Sequence, residues 1–160
     1  MAMHHSLPFS SLFLIALFLA STPLAGQDQA SAYANDEDEG YHIALEDFPS
    51  DMVINHINGW GGMTVAVNAM PAGSDLGPLL VGLKNNSCQV PHWGYILEGV
   101  LQLTYDDGRV EMLEAGELFY MPPGHVGVVV EDLKLMDFSP QKGMKKVISH
   151  IEKKIAESQN

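Results

Sequence analysis

The sequence is poor in basic residues and in cysteine, and each shortage argues against a class of protein. It contains 8 lysine and arginine residues against 20 aspartate and glutamate residues, which gives a formal net charge of −12. A protein that binds nucleic acid must neutralise phosphates with basic side chains, so we expect no nucleic-acid partner. Cys88 is the one cysteine. No disulfide can therefore form within the chain, which excludes a small disulfide-stapled fold.

Long apolar runs and several catalytic motifs are absent as well. The apolar run at residues 12–20 has nine residues, whereas a membrane-spanning helix needs about 20. The sequence has no Gly-x-Ser-x-Gly nucleophile elbow. The glycine-rich segment at residues 59–62 lacks the lysine of a phosphate-binding loop. These absences argue against a serine hydrolase and against a nucleotide-binding loop.

The first fifty residues indicate a protein that is exported. An apolar run near the start is typical of a secretory signal peptide, and Ala30-Ser31-Ala32 offers a small-residue cleavage site. We predict a signal peptide over residues 1–32 and an acidic linker over residues 33–50. The protein is then secreted or periplasmic, without stable membrane insertion after cleavage. An uncleaved anchor or a buried N-terminal helix is the alternative explanation of the same run.

Residues 51–140 have the pattern of an all-β domain. Apolar runs of four to eight residues alternate there with turn signals such as Asp107-Gly108, which suits a tight hairpin. The predicted strands include one at residues 79–83, two on either side of a turn at Glu98-Gly99, and two at residues 126–130 and 133–138. Eight or nine short strands at this spacing predict a jelly-roll β-barrel.

The last part of the chain, residues 141–160, has the period of an amphipathic helix. Its apolar residues recur at steps of three and four between charged residues: Met144, Val147, Ile148, Ile151 and Ile155. Such an apolar stripe needs a surface to cover. We expect the outer wall of the barrel to be that surface, with a dimer partner as the alternative.

The glycine and proline spacing of residues 51–140 resembles that of the cupin family. The second cupin motif has a glycine, five residues and then Pro-x-Gly, and the chain has this spacing from Gly116 to Pro122 and Gly124. The stretch that ends at Gly99 resembles the first motif. This resemblance implies a single cupin (RmlC-like) jelly-roll barrel over residues 51–140, followed by the short C-terminal helix.

The metal ligands that cupins usually carry are replaced in this sequence. By motif position, His92 stands where the family has a glutamate, and Cys88 stands at the second histidine of His-x-His. His125 lies two residues before the expected histidine of the second motif. A group of small, mostly uncharacterised bacterial cupin-domain proteins resembles this chain in both strings, Cys-x-x-Pro-His-Trp-Gly-Tyr at residues 88–95 and Pro-Pro-Gly-His at residues 122–125. That group brings no substrate with it.

Thiolate and imidazole are good ligands for transition metals, so we predict a metal site formed by Cys88, His92 and His125. Zinc, iron, nickel, manganese and copper are not distinguished at this point. Alternatively, Cys88 is a small buried hydrophobe and His92 is a hydrogen-bonded barrel residue. Asp137 interrupts an apolar strand, so it either faces solvent or is a buried acid with a raised pKa.

Three aromatic residues near the predicted metal site, Trp93, Tyr95 and Tyr120, alternate with other residues along predicted strands. We predict that they line the mouth of a pocket for a small molecule, because barrel mouths are common ligand sites. Packing on the strands is the alternative, and it is common for aromatic side chains.

Three kinds of function agree with these features. The first is a metal-dependent enzyme that acts on a small molecule. The second is a metal-free protein that binds or senses a ligand, in which Cys88, His92 and His125 do not converge. The third is an assembly module that pairs two barrels as a homodimer. Convergence of the three side chains on one point separates the first hypothesis from the second.

Overall fold

The structure, a computed structural model, describes residues 42–50 and 54–158. The predicted signal peptide and the first half of the predicted linker lie outside these ranges. The described residues form strands β1 (His56–Trp60), β2 (Met63–Met70), β3 (His92–Tyr105), β4 (Val110–Glu114), β5 (Leu118–Met121) and β6 (His125–Pro140), and helices α1 (Gly77–Leu80) and α2 (Gln141–Ser158). A domain that is mostly β-sheet, followed by a C-terminal helix, is therefore confirmed.

The strands pair antiparallel in the order β1-β2-β6-β3-β4, and β5 pairs with β3. The long strands β3 and β6 each change partner along their length. The start of β3 pairs with β5 and with the end of β6, whereas its later residues pair with β4 and with the start of β6. The paired strands β3 and β6 thus run through both halves of the folded sheet, the half that contains β5 and the half that contains β4.

The change of partner occurs at an irregularity in the middle of β3, where its register with β6 shifts between Ile96 and Leu101. Gly99 lies there with a φ of 78°. A Cβ at this position would lie 2.1 Å from the carbonyl oxygen of Asp132, so only glycine fits. The predicted turn at Glu98-Gly99 is therefore an irregularity inside one strand.

The curled sheet encloses a cavity, because the segment after β2 returns along the first half of β6. The N–H groups of Gly73 and Leu76 donate to the carbonyl oxygens of Val129 and Gly127, at 2.8 and 3.0 Å. The main core cluster includes Val129, which accepts one of these hydrogen bonds. Its other members include Ile96, Leu101, Leu103 and Leu135. These contacts set the inner faces of β3 and β6 toward the interior.

The number and extent of the strands differ from the prediction of eight or nine short ones. Residues 126–130 and 133–138 belong to the single strand β6, since Glu131 between them still pairs with Val100. Residues 77–80 form α1 instead of starting a strand, and Pro78 lies in its first turn, where the missing N–H of proline costs nothing. Of the predicted acidic linker, Phe48 is buried against Ile57 and Val65.

Helix α2 packs over the open side of the curled sheet and not on its outer wall. Its residues Met144, Val147 and Ile148 are buried in one cluster with Leu80 of α1 and Cys88. His150 Nε2 lies 3.1 Å from the carbonyl oxygen of Val81 just after α1. The apolar stripe predicted from the sequence therefore covers α1, the segment that carries the thiol, and the cavity.

No helix among the described residues combines the length and the hydropathy that spanning a membrane requires.

Candidate metal centre

The cavity inside the curled sheet has a volume of about 630 Å³. Its walls are inner-face residues of β2, β3 and β6, and apolar residues of α1 and α2 cover it. Cavities of roughly 300–1,000 Å³ are usual for small-molecule sites. Cys88, His92 and His125 all line this cavity, so anything bound to them is within reach of a ligand.

The three predicted ligands converge. One ligand atom from each of Cys88, His92 and His125 lies within 4.8 Å of the others, and all three residues are buried. The Sγ atom of Cys88 is 3.4 Å from Nε2 of His92, and the two imidazole rings are 4.9 Å apart in an edge-on arrangement. The metal-free hypothesis required these side chains to stay apart, and the structure does not agree with it on this point.

Backbone pairing brings the two motifs together. Cys88 lies in the approach to β3 and His125 is the first residue of β6, and the two form an isolated antiparallel bridge. The Cys88 N–H donates to the His125 carbonyl at 2.9 Å, and the Gly124 N–H donates to the Cys88 carbonyl at 2.7 Å. The thiol and the imidazole are therefore held together by main-chain hydrogen bonds.

Asp106, in the hairpin between β3 and β4, fixes the loop that carries the thiol. Its Oδ1 accepts a hydrogen bond from Ser87 Oγ at 2.7 Å, and its Oδ2 accepts from Asn85 Nδ2 at 2.8 Å and Gln89 Nε2 at 3.2 Å. The hydrogen bond from Asn85, with those from Ser87 and Gln89, lowers the pKa of Asp106. The Asp106 N–H also donates to the Gly124 carbonyl at 2.8 Å. Asp106 thus ties both ligand-bearing loops to the same hairpin, one through its carboxylate and the other through its main-chain N–H.

His92 is oriented by a short hydrogen-bonded chain. Ser139 Oγ donates to Asp137 Oδ1 at 3.0 Å, and Nδ1 of His92 lies 2.5 Å from the same Ser139 oxygen. A hydroxyl has one proton, so with that proton on Asp137 the serine oxygen accepts from the Nδ1–H of His92. This leaves Nε2 of His92 facing the thiol. Metal-bound histidines usually have such an outer partner.

His125 is oriented in the same way by the main chain. Its Nδ1 lies 2.7 Å from the carbonyl oxygen of Pro122. A carbonyl oxygen accepts only, so Nδ1 carries the proton and donates it. Nε2 of His125 is then the ring nitrogen with a lone pair for a ligand-type contact.

The thiol and the His92 imidazole shift each other's pKa. Burial alone would keep both groups uncharged, yet hydrogen bonds and opposite charges outweigh it. The pKa of Cys88 is lowered to about 6 by hydrogen bonds with His125 and His92 and by their charges. The pKa of His92 is raised to about 9 by hydrogen bonds with Asp137 and Cys88 and by their charges. Both shifts favour a thiolate and an imidazolium near neutral pH when no metal is bound.

The three predicted pocket residues lie elsewhere. Trp93, Tyr95 and Tyr120 are not among the described residues that line the cavity. Trp93 and Tyr120 are 43% and 53% exposed, and their rings stack at 5.2 Å. Side chains alternate across a strand. Because His92 points into the cavity, Trp93 and Tyr95 point outward, and the prediction that they line the pocket does not agree with this geometry.

Ser139 and Asp106 support the site and were not predicted from the sequence. Ser139 is fully buried and lies two residues after Asp137, so both side chains point to the same face of β6. The sequence marks Asp137 only as an acid in an apolar strand, and its side chain is 15% exposed. A serine and an aspartate at a spacing of two in such a strand are the signal that indicates this pair. Asp106 had no comparable signal, since Asp-Asp-Gly suits a hairpin in any case.

Comparison with protein-family models and with curated proteins finds no match. Among solved structures, the chain is similar to an RmlC-like cupin from Shewanella frigidimarina, with 16% identity, a TM-score of 0.47, and coverage of 66% of this chain and 95% of that one. It is also similar to an RmlC-like cupin family protein with a double-stranded β-helix fold from Methanocaldococcus jannaschii, with 13% identity, a TM-score of 0.46, and coverage of 69% and 97%. A cupin-2 domain containing protein from Shewanella frigidimarina has 19% identity and a TM-score of 0.42, with coverage of 61% and 93%.

Proposed function

We propose that this chain is a cupin-type metalloprotein in which Cys88, His92 and His125 bind one divalent metal that acts on a small molecule in the cavity. The observation that carries the proposal is the state of the two imidazoles. Each Nδ1 already has a partner, Ser139 for one ring and the Pro122 carbonyl for the other. Nε2 is therefore the nitrogen of each ring that can bind a metal, once the metal has displaced the proton of His92, and such outer partners at Nδ1 are usual for metal-binding histidines.

The donor set suits a transition metal. One thiolate and two imidazoles fit zinc, iron, nickel or copper better than manganese, which prefers oxygen ligands. Three protein ligands beside a cavity leave a position open to a further ligand, as in catalytic and not structural metal sites. When bound, such a metal supplies Lewis acidity or oxygen activation at that position. Ser139 and Asp137 keep His92 in the orientation that this binding needs.

A second candidate function, thiol chemistry without a metal, is favoured by the same pair of residues. A Cys88 thiolate at 3.4 Å from His92, with Asp137 and Ser139 behind the ring, has the order of a nucleophile, a base and an orienting group. It is distinguished from the first by the effect of a metal on alkylation. Iodoacetamide should modify Cys88 in both cases, and zinc should protect it only if the thiolate is a ligand.

We also propose, from the sequence alone, that the chain is exported and that two copies form a homodimer. The support for export is the apolar run at residues 12–20. Fractionation of cells that express the chain with and without residues 1–32 tests it. A monomeric mass in solution would contradict the homodimer.

Metal content of the purified full chain tests the proposed function. After loading with cobalt and removal of the excess, we expect one equivalent per chain and an absorption band of thiolate-to-cobalt charge transfer. Cys88→Ser should remove that band, and His92→Ala should reduce the bound metal. His56→Ala is the matched control, since His56 is not among the described residues that line the cavity and its Nδ1 contacts the carbonyl oxygen of Ile54. Sub-stoichiometric metal that is unchanged in His92→Ala would contradict the proposal.

A further inference from the structure

The wall of the cavity formed by the helices is apolar over its whole length. Helix α2 contributes Met144, Val147, Ile151 and Ile155 to the lining, and α1 contributes Leu79 and Leu80. A Cβ on Gly143 would lie 2.8 Å from the side chain of Val90, which stands between Cys88 and His92 in the sequence, so the Met144 end of the stripe is close to the predicted metal ligands. From there to Ile155 the helix rises by about 16 Å, at 1.5 Å per residue. The cavity therefore has a metal-ligand end and a long apolar wall that leads away from it.

The charge of the lining is negative. Among the described residues that form it, Asp75 and Asp137 are acidic and there is no lysine or arginine. Asp137 is also part of the hydrogen-bonded chain behind His92. The Cys88 thiolate and the nearby Asp137 carboxylate already balance the charge of a divalent metal, so a carboxylate or phosphate head would add a negative charge that no lysine or arginine of the lining offsets. These walls favour a ligand without a negative charge.

We propose that the site takes an uncharged small molecule with an apolar chain, whose single donor atom occupies the open metal position while its chain lies along α2. The proposal rests on the proposed function and names its ligand class: an azole, alcohol or ketone head with an alkyl tail. It also gives α2 a role, since this helix sets how long a chain the cavity holds. Ile151, half-buried within the stripe, is the residue that would limit the length.

A series of 1-alkylimidazoles, from methyl to octyl, tests the ligand class on the cobalt-loaded full chain. When the free ring nitrogen of the probe binds cobalt, the cobalt absorption bands change. Binding is therefore measured without any enzymatic activity. We expect affinity to increase about fourfold per added methylene until the cavity is full. Straight-chain carboxylates of the same length should bind at least about tenfold more weakly, because Cys88 and Asp137 already balance the charge of the cobalt ion and no lysine or arginine lines the cavity.

The possible outcomes separate the two proposals. Chain-length-independent binding, or carboxylates that bind as tightly as the imidazoles, would overturn the ligand class while cobalt binding leaves the metal site intact. Failure to take up cobalt at all would overturn the metal site and the ligand class with it.

Substitutions in α2 test its part in setting chain length. Ile151→Trp should leave 1-methylimidazole affinity within about twofold and weaken 1-octylimidazole by about tenfold or more, since the added volume displaces the end of the chain. Ser149→Trp, on the exposed face of the same helix, is the matched control and should change neither. If Ile151→Trp does not fold, Ile155→Phe makes the same test. An equal loss for all chain lengths, or none for the longest, would overturn the role of α2.

Discussion

Neighbouring residues on the two faces of strand β3 are held in different ways. His92 points into the cavity, where Ser139 and Cys88 contact its two ring nitrogens. Trp93, the next residue, points outward, is 43% exposed and stacks on Tyr120. The inner contacts are directed hydrogen bonds between buried groups, whereas the outer one is a ring contact beside water. Substitutions one residue apart should therefore differ in kind, with loss of metal binding on the inner face and a small loss of stability on the outer face.

The largest effect is expected for His92→Ala. It removes a ligand and leaves Ser139 and Asp137 without their partner, so zinc affinity should fall by more than about 100-fold, beyond what loss of an outer partner causes. Competition with a chelating dye measures the affinity. Trp93→Ala is the control on the opposite face of the same strand. Equal losses in the two variants would break the distinction between the faces.

The next effect is the pH dependence of metal binding in the unmodified chain. With the pKa of Cys88 near 6 and that of His92 near 9, the metal-free site holds a thiolate and an imidazolium between these pH values. A metal at Nε2 must displace the proton of His92. Binding should therefore strengthen by about tenfold per pH unit from pH 7 to pH 9 and level off above that.

Below pH 6 the thiol is protonated as well, so a second proton is released and the dependence steepens to about 100-fold per unit. Titration with zinc in buffers from pH 5.5 to pH 10 measures the profile. An affinity that does not change between pH 7 and pH 9 would show that His92 is already neutral, or that it is not a ligand.

Ser139→Ala should have the third largest effect. The substitution removes the acceptor of His92 Nδ1–H but no ligand, so we expect a loss of about 10–100-fold in zinc affinity. The cobalt charge-transfer band should persist, because the thiolate is untouched. Ser149→Ala, on the exposed face of α2, is the control. A loss below about twofold would mean that Ser139 is not needed to hold the ring, which Asp137, 3.6 Å from His92 Nδ1, or packing then holds.

Part of this site could be predicted from the sequence, and part could not. Cys88, His92 and His125 were predictable because they are ligand-type residues at or near ligand positions of the resembled motifs. Cys88 and His92 stand at such positions, and His125 lies two residues before one. The prediction that Trp93 lines the pocket conflicts with placing His92 inward, since neighbours on a strand cannot share a face. The single strands β3 and β6 were not predictable, because Gly99 has the local character of a turn and only pairing across the sheet keeps it in a strand. Asp106 depends likewise on how two loops meet, which no local pattern encodes.

Asp106→Asn should have a smaller effect on metal binding than Ser139→Ala. Its carboxylate accepts from Asn85, Ser87 and Gln89, and an amide would present a donor to these donors. The loop would loosen and Cys88 would be less well placed, so we expect zinc affinity to fall by up to about tenfold. Asp107→Asn is the matched control from the same hairpin, since Asp107 contacts only the exposed Arg109 at 2.8 Å among the pairs described. Similar losses in both variants would assign the effect to the hairpin and not to the loop.

The smallest effect is expected on the outer face, for Trp93→Ala. Zinc affinity and 1-alkylimidazole affinity of the cobalt form should stay within about twofold of the unmodified chain. The free energy of unfolding should fall, and a double-mutant cycle with Tyr120→Ala should assign about 0.5–1.5 kcal/mol to the stacked pair. Urea unfolding of the four metal-free proteins measures this term. If Trp93→Ala weakened alkylimidazole binding, the aromatic residues would contact the ligand after all. The alternation of side chains along β3 would then no longer separate the site from the outer surface.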